Sequence, residues 1–170
     1  PLGTGPVRVF PDGTLRMASN TSVNGSNLTV LSRATAMGVV MIDDNFNPTV
    51  LNSTNFTSVY NTALHLGQPF FTQPLNMASI GDGKAFLGAG LNAEVAYTAA
   101  TLGAGVADAW NPGAGVYRIA PGSTSLAFSG TDNVLTGSNY LQVGPQRNNV
   151  LGVIQNGGNV VVIRNSNNFT

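Results

Sequence analysis

Residues 8–17 read RVFPDGTLRM, and the way this stretch bends decides the fold. Two β-rich pieces flank Pro11-Asp12-Gly13, a trio suited to a turn because proline presets φ while Asp and Gly accept tight or left-handed backbone. If the bend is a hairpin, neighbouring strands run antiparallel and the chain builds a β-sandwich, as in a capsid or pilus subunit. If it is a corner, the two strands belong to different sheets and the chain winds into a coil. The turn residues alone permit both, so the rest of the sequence has to choose.

Working outward, short β-rich pieces recur: VRVF, TLRMAS, NLTVLS, GVVMID, GVYRIA, SLAFSG, NYLQVG, GVIQNG and NVVVIRN. Turn formers such as VNGSN, NPGAG, APGS, GTDN and QNGG separate them. Strands at this spacing with turn punctuation predict an all-β protein. QPFFTQPLNMAS carries Pro69 and Pro74, which disfavour a central strand. The Ala- and Gly-rich stretch KAFLGAGLNAEVAYTAATLGAGVADAW contains a piece able to form a short helix, but its flanking glycines favour extended structure. From about residue 115 the rhythm is steady, and DNVLTGSNYLQVG and NNVLGVIQNGGNVVV look like imperfect copies of one unit. Short repeating strands with Asn and Gly at the corners suit a β-solenoid. At roughly 25 residues per coil the chain makes about seven coils, a column about 33 Å tall at about 4.8 Å per rung.

Composition narrows the function. The chain has 170 residues, 42% of them apolar, which is enough for one domain with a sizeable core. Only 8% are charged, and seven basic residues balance seven acidic ones, against roughly 25% charged in an ordinary soluble domain. No basic footprint for nucleic acid and no polybasic patch for anionic lipid is present. A near-neutral surface is poorly protected against self-association. There are no cysteines, hence no disulfide, thiol chemistry or Cys-based metal site. No apolar run reaches the length of a membrane helix. The first residue is Pro1 and nothing resembles a signal peptide, so a mature product or an excised segment is expected.

PLGTGPVRVFPDGTLRMASN at the start resembles the autotransporter-associated β-strand repeats, which typically read Leu-Gly-x-Gly-x-Val-x-Val, a turn, then Gly-Thr-Leu. The matching positions are Leu2, Gly3, Gly5, Val7, Val9, Gly13, Thr14 and Leu15. GAGVYRIAPGSTSLAFSG resembles the family's Gly-x-Tyr-Arg stretch and the strand after it, and GGNVVVIRNSNNFT resembles a further unit. The likeness covers about half the chain, is weaker between Asp43 and Trp110, and departs from the family where IAPGSTSLA replaces a glycine run. It implies a right-handed parallel β-helix in the passenger or stalk of a very large bacterial surface or secreted protein, of which residues 1–170 would be one window.

One pattern is unusual. Val160 to Ile163, and Val39 to Ile42 in GVVMID, do not alternate apolar with polar. In a coil, Val161 and Ile163 point one way and Val160 and Val162 the other, so one pair fills the lumen and the other meets water or a cover. The expectation is that the outer pairs lie under a neighbouring subunit or under the middle of the chain.

Residues able to carry chemistry are few. His65 is the only histidine, sits between leucines and has no nucleophile motif nearby. Asp43-Asp44-Asn45 is the only acidic cluster. It could offer oxygens to calcium, but adjacent strand residues point opposite ways and no EF-hand or nonapeptide loop is present, so a solvated turn is expected. Asp12-Gly13 and Asp82-Gly83 read as turns, and Asp108 has no evident partner. No spacing flags a carboxylate pair for glycoside hydrolysis, and no phosphate loop or GxGxxG occurs. Six Asn-x-Ser/Thr sequons, at Asn20, Asn24, Asn27, Asn52, Asn55 and Asn168, are read as corner asparagines able to form ladders. Phe70-Phe71, Tyr97, Trp110, Tyr117 and Tyr140 are dispersed, which suits core packing better than a sugar platform.

The reading is therefore an all-β, right-handed parallel β-helix forming a single domain over 1–170, with a less regular middle. No catalytic, cofactor-binding or metal residue is assigned and no cofactor is expected. The role expected is that of a non-enzymatic extracellular or cell-surface structural or adhesive segment that forms a stiff rod and self-associates into fibres or a layer. Its partners would be copies of itself or adjacent repeats, with surface carbohydrate as a further candidate, but neither nucleic acid nor a membrane span. The alternatives are a carbohydrate-active β-helix enzyme, a lyase or tailspike-like hydrolase, for which Lys84 would be the only lysine, and the β-sandwich.

Overall fold

A computed structural model of the chain describes residues 5–19, 27–33, 36–56, 62–91, 93–144 and 160–169. It answers the opening question: RVFPDGTLRM is a corner. Strands β1 (Val7–Val9) and β2 (Thr14–Met17) lie in different sheets. Between them Gly13 N–H donates to the carbonyl of Phe10, and Asp12 adopts φ 66°, a left-handed conformation that Asp tolerates better than most residues. β1 pairs in parallel with β3 (Leu28–Val30), and β2 with β4 (Val39–Ile42). Every pairing between named strands is parallel, which overturns the β-sandwich reading.

The main sheet has six strands stacked in the order β2, β4, β5 (Ala63–Leu66), β8 (Phe86–Ala89), β11 (Val116–Gly122) and β14 (Tyr140–Val143). A second sheet stacks β6 (Phe70–Phe71), β9 (Val95–Tyr97), β12 (Leu126–Phe128) and β15 (Val161–Ile163). Two short sheets complete the walls, one pairing β7 (Leu75–Asn76) with β10 (Leu102–Gly103), the other β13 (Thr136–Gly137) with β16 (Asn168–Phe169). The architecture is a parallel β-solenoid.

The registers give the coil lengths. Thr14 stacks on Val39, Val39 on Ala63 and Ala63 on Phe86, steps of 25, 24 and 23 residues. Leu87 then stacks on Ile119, a step of 32, because the chain makes an excursion between the bridged residues Gly105 and Val116. Leu126 to Val161 takes 35 residues. The mean step from Leu15 to Val143 is still close to the expected coil length; six stacked strands make five turns rather than the seven expected because the main sheet runs only from β2 to β14, and the column stands about 24 Å tall at about 4.8 Å per rung.

The middle of the chain carries the less regular features expected of it, 3-10 turns at Pro48–Ser53 and Met77–Ser79 and the excursion between Gly105 and Val116. The described strands of the two look-alike stretches lie in different sheets: β14 pairs with β11, and β15 with β12. The second stretch lies mostly outside the described residues, as do the expected strand near Gly152 and the sequons at Asn20 and Asn24. The Ala/Gly-rich stretch is extended, as expected, and supplies β8, β9 and β10. Pro69 and Pro74 directly precede β6 and β7, and β6 is an end strand of its sheet, where a missing N–H is tolerated.

The lumen is filled by columns of like residues. Val40, Leu64, Leu87 and Ile119 form one column, and Met17, Ile42, Leu66 and Ala89 the next, all buried. In the second sheet Phe71, Tyr97 and Phe128 stack with ring centroids 6.1 and 5.8 Å apart. Each buried Val, Leu, Ile or Phe contributes about 1.5–3 kcal/mol. Tyrosine hydroxyls serve as internal stitches. Tyr97 Oη donates to the carbonyl of Thr101 and accepts from Leu75 N–H, and burial pushes this phenol's pKa up. Tyr117 Oη does the same with the carbonyl and N–H of Thr136.

Candidate functional site

The outer face of the main sheet explains the missing alternation. Val40 and Ile42 enter the lumen; Val39 and Met41 face outward and are half-buried. Successive rungs place Arg16, Met41, His65 and Gly88 in one outward column. Met41 lies over two glycines: a Cβ added at Gly90 would fall 2.2 Å from its Cε, and one at Gly67 3.0 Å from its Cγ. The cover on this outer apolar residue is therefore lateral: its side chain lies against the bare glycine backbone that follows the next two strands of the same sheet. Val161 packs against the core while Val160 stays 55% exposed.

His65 continues the column and is buried. An added Cβ at Gly88 would lie 2.8 Å from its Cδ2, and one at Gly122 2.7 Å from its Cε1. Its Nε2 is buried without a hydrogen-bond partner. Burial alone lowers the imidazole pKa to about 4, which keeps it neutral at pH 7. Among the described residues no nucleophile or carboxylate makes a hydrogen bond to Nε2.

The acids are all engaged in holding turns or rungs. Asp43 accepts from Arg16 Nε and Nη2, both at 3.0 Å, while Arg16 Nη2 also reaches the carbonyl of Gly67, so one guanidinium spans three rungs. Asp44 accepts from the N–H and hydroxyl of Thr72 on the next coil. The Asp43-Asp44-Asn45 cluster is thus a corner whose two carboxylates serve different coils. Asp12 pairs with Arg33 and Asp82 accepts from Lys84 N–H. Asp132 accepts from Ser166 N–H, and Glu94 forms a two-point pair with Arg164. That pair holds the Glu94 carboxyl below its ordinary range. Among the described residues no group of three or more His, Cys, Asp or Glu is placed to hold a metal ion.

Asp108, without a partner in the sequence reading, has the most. Arg118 on β11 is buried and donates to Asp108 and to the carbonyls of Val106 and Gly83. The N–H groups of Trp110 and Asn111 also donate to the Asp108 carboxylate. Partial burial raises this carboxyl's pKa, but the hydrogen bonds from Arg118, Asn111 and Trp110 outweigh it and keep the group below the usual carboxylate range. The 105–116 excursion is thereby clamped to the wall, with Trp110 at its outer end 79% exposed. Sequence gave no signal for this clamp, because Asp108 and Arg118 are joined only through the excursion's return to the sheet.

Corner asparagines bond to backbone. Asn47 and Asn76 accept from the N–H groups two residues on, Asn167 accepts from Leu135 N–H, and Asn165 reaches the carbonyl of Thr131. Of the six sequon asparagines, Asn55 bridges to Thr29 and Asn168 lies in β16. The aromatics divide: Phe71, Tyr97 and Tyr117 are core, whereas Phe70, Trp110 and Tyr140 are exposed at separate places. No helix among the described residues is long and apolar enough to cross a membrane. No protein-family model, curated protein or solved structure matches the chain.

The Arg16–Asp43 contact carries a prediction. Because Arg16 is half exposed, the pair is worth only about 0.5–1 kcal/mol. A double-mutant cycle with Arg16→Gln and Asp43→Asn, read by urea midpoints, should return a coupling of about that size.

Proposed function

We propose that this chain is a non-enzymatic structural segment of an extracellular bacterial surface protein, a stiff column of coils that joins copies of itself into fibres or a layer. The observation that carries this reading is the use of its scarce charges. All seven carboxylates are spent on turns and rung-to-rung stitches, which leaves a largely uncharged exterior with little repulsion between copies. The strands at the β14–β15 end support it: Tyr140, Val143, Val160 and Ile163 are exposed there, beside edges whose backbone groups can pair with a further rung. The resemblance of the opening residues to autotransporter-associated repeats supports such a role at a cell surface.

Electron microscopy of purified protein tests this. Filaments or sheets that grow with concentration are expected. Dispersed monomers at all concentrations would contradict the assembly, and cleavage of a polysaccharide by those monomers would favour a carbohydrate-active enzyme instead.

A further inference from the structure

His65 is a buried titratable ring whose Nε2 takes no part in the stitching. Its environment on the outer face of the main sheet is built from backbone: Gly88 and Gly122 press against the ring, and the carbonyl of Ala120 lies 2.4 Å from where a Gly88 Cβ would be. Gly122 has φ +74° and sits at a register shift in β11, so the strand bulges where it passes the ring. The charged groups around this patch are already committed. Arg16 and Asp43, from β2 and the end of β4, hold each other and the Gly67 carbonyl. Arg118, from β11, holds Asp108 and two carbonyls. Lys84, four residues before Gly88, is exposed. An imidazolium formed here would bring a charge into a buried site with no carboxylate free to meet it and no acceptor at Nε2.

We infer that His65 is an acid-sensitive lock on the middle of the main sheet: a proton gained from solvent at Nε2 loosens the rungs formed by β5, β8 and β11. The direction follows from linkage. In the unfolded chain the imidazole takes its proton near pH 6.5, whereas in the folded chain it resists until about pH 4. Between those values the unfolded state holds the extra proton. The contribution is fully present above pH 6.5 and is lost as pH falls through this window. The carboxyls held low by ion pairs, Glu94 and Asp108, lose their contributions only at lower pH. A solenoid carrying this lock would be firm at neutral pH and would open locally in an acidified setting.

The test uses the full chain, with urea unfolding at pH 7.5 and pH 5. The wild type is expected to show an unfolding constant roughly thirtyfold larger at pH 5, and His65→Leu little change. Hydrogen exchange, corrected for intrinsic rates, should show the added opening in β5, β8 and β11. An equal pH slope in His65→Leu, or opening confined to other rungs, would overturn the proposal. Should the variant not fold, the lone histidine allows an NMR titration of the wild type. A folded-state pKa well below 6.5 supports the lock, and a value at or above 6.5 rejects it.

Discussion

Gly130→Ala is expected to destabilise the protein by about 2–3 kcal/mol, a large effect for one methyl group. A Cβ at this position would fall 2.5, 2.6 and 2.7 Å from the O, Cα and C atoms of Thr98, all backbone of the rung below. A flexible side chain could move aside, but the wall of the coil cannot, so β12 would have to lift away from β9. The loss should appear as a lowered urea midpoint with faster exchange of the β9 and β12 amides. Gly5→Ala is the control, because nothing lies within 4 Å of its added Cβ and its φ is not positive. An unchanged midpoint for Gly130→Ala would mean that the rungs are not packed at this spacing.

Tyr97→Ala should cost about 4 kcal/mol. Tyr97 is fully buried between Phe71 and Phe128, and its hydroxyl ties Leu75 N–H to the carbonyl of Thr101. Truncation would open a cavity in the aromatic column and leave two backbone groups without their partner. Tyr97→Phe separates the two effects. It keeps the ring and removes only the stitch, so a loss of about 1–2 kcal/mol is expected. Equal losses for both variants, measured by the same urea titration, would show that the stitch rather than the packing dominates.

Much of the fold was legible because a solenoid writes itself locally. VRVF, GVVMID and GVYRIA each announce a strand, and the Gly, Pro and Asn punctuation marks each corner, with no need to know what lies above or below. What could not be read was register. Whether Pro11-Asp12-Gly13 reverses the chain or turns a corner depends on where Val39 and Leu28 come to lie, and that is a property of the stack. The coil count failed because it divided the whole chain by one coil length, whereas the main sheet stacks only from Thr14 to Val143.

The outer face was half legible. The run at Val39–Ile42 signalled something other than a wet outer surface, whereas Val160 and Ile163 are exposed. Yet the cover for Met41 came from Gly67 and Gly90, one and two rungs away, where sequence shows only ordinary glycines. Asp43-Asp44 was read as a solvated turn; it is a corner, but Asp43 is buried against Arg16. Sequence left His65 as either a packed or a surface histidine; it is packed, and its unpartnered Nε2 could be found only once Gly88 and Gly122 were placed against it.

Everything here depends on successive coils stacking in parallel and in register. The chain has no cysteine, so paired cysteines test this cleanly. Thr14 and Val39 are register partners, and neighbouring strands bring Cα atoms to about 4.8 Å, within disulfide range. Thr14→Cys with Val39→Cys should oxidise to an intramolecular disulfide in the folded protein, while Thr14→Cys with Ile42→Cys should stay reduced. Cross-linking of the Thr14–Ile42 pair instead, the partners an antiparallel ribbon would align, would contradict the solenoid.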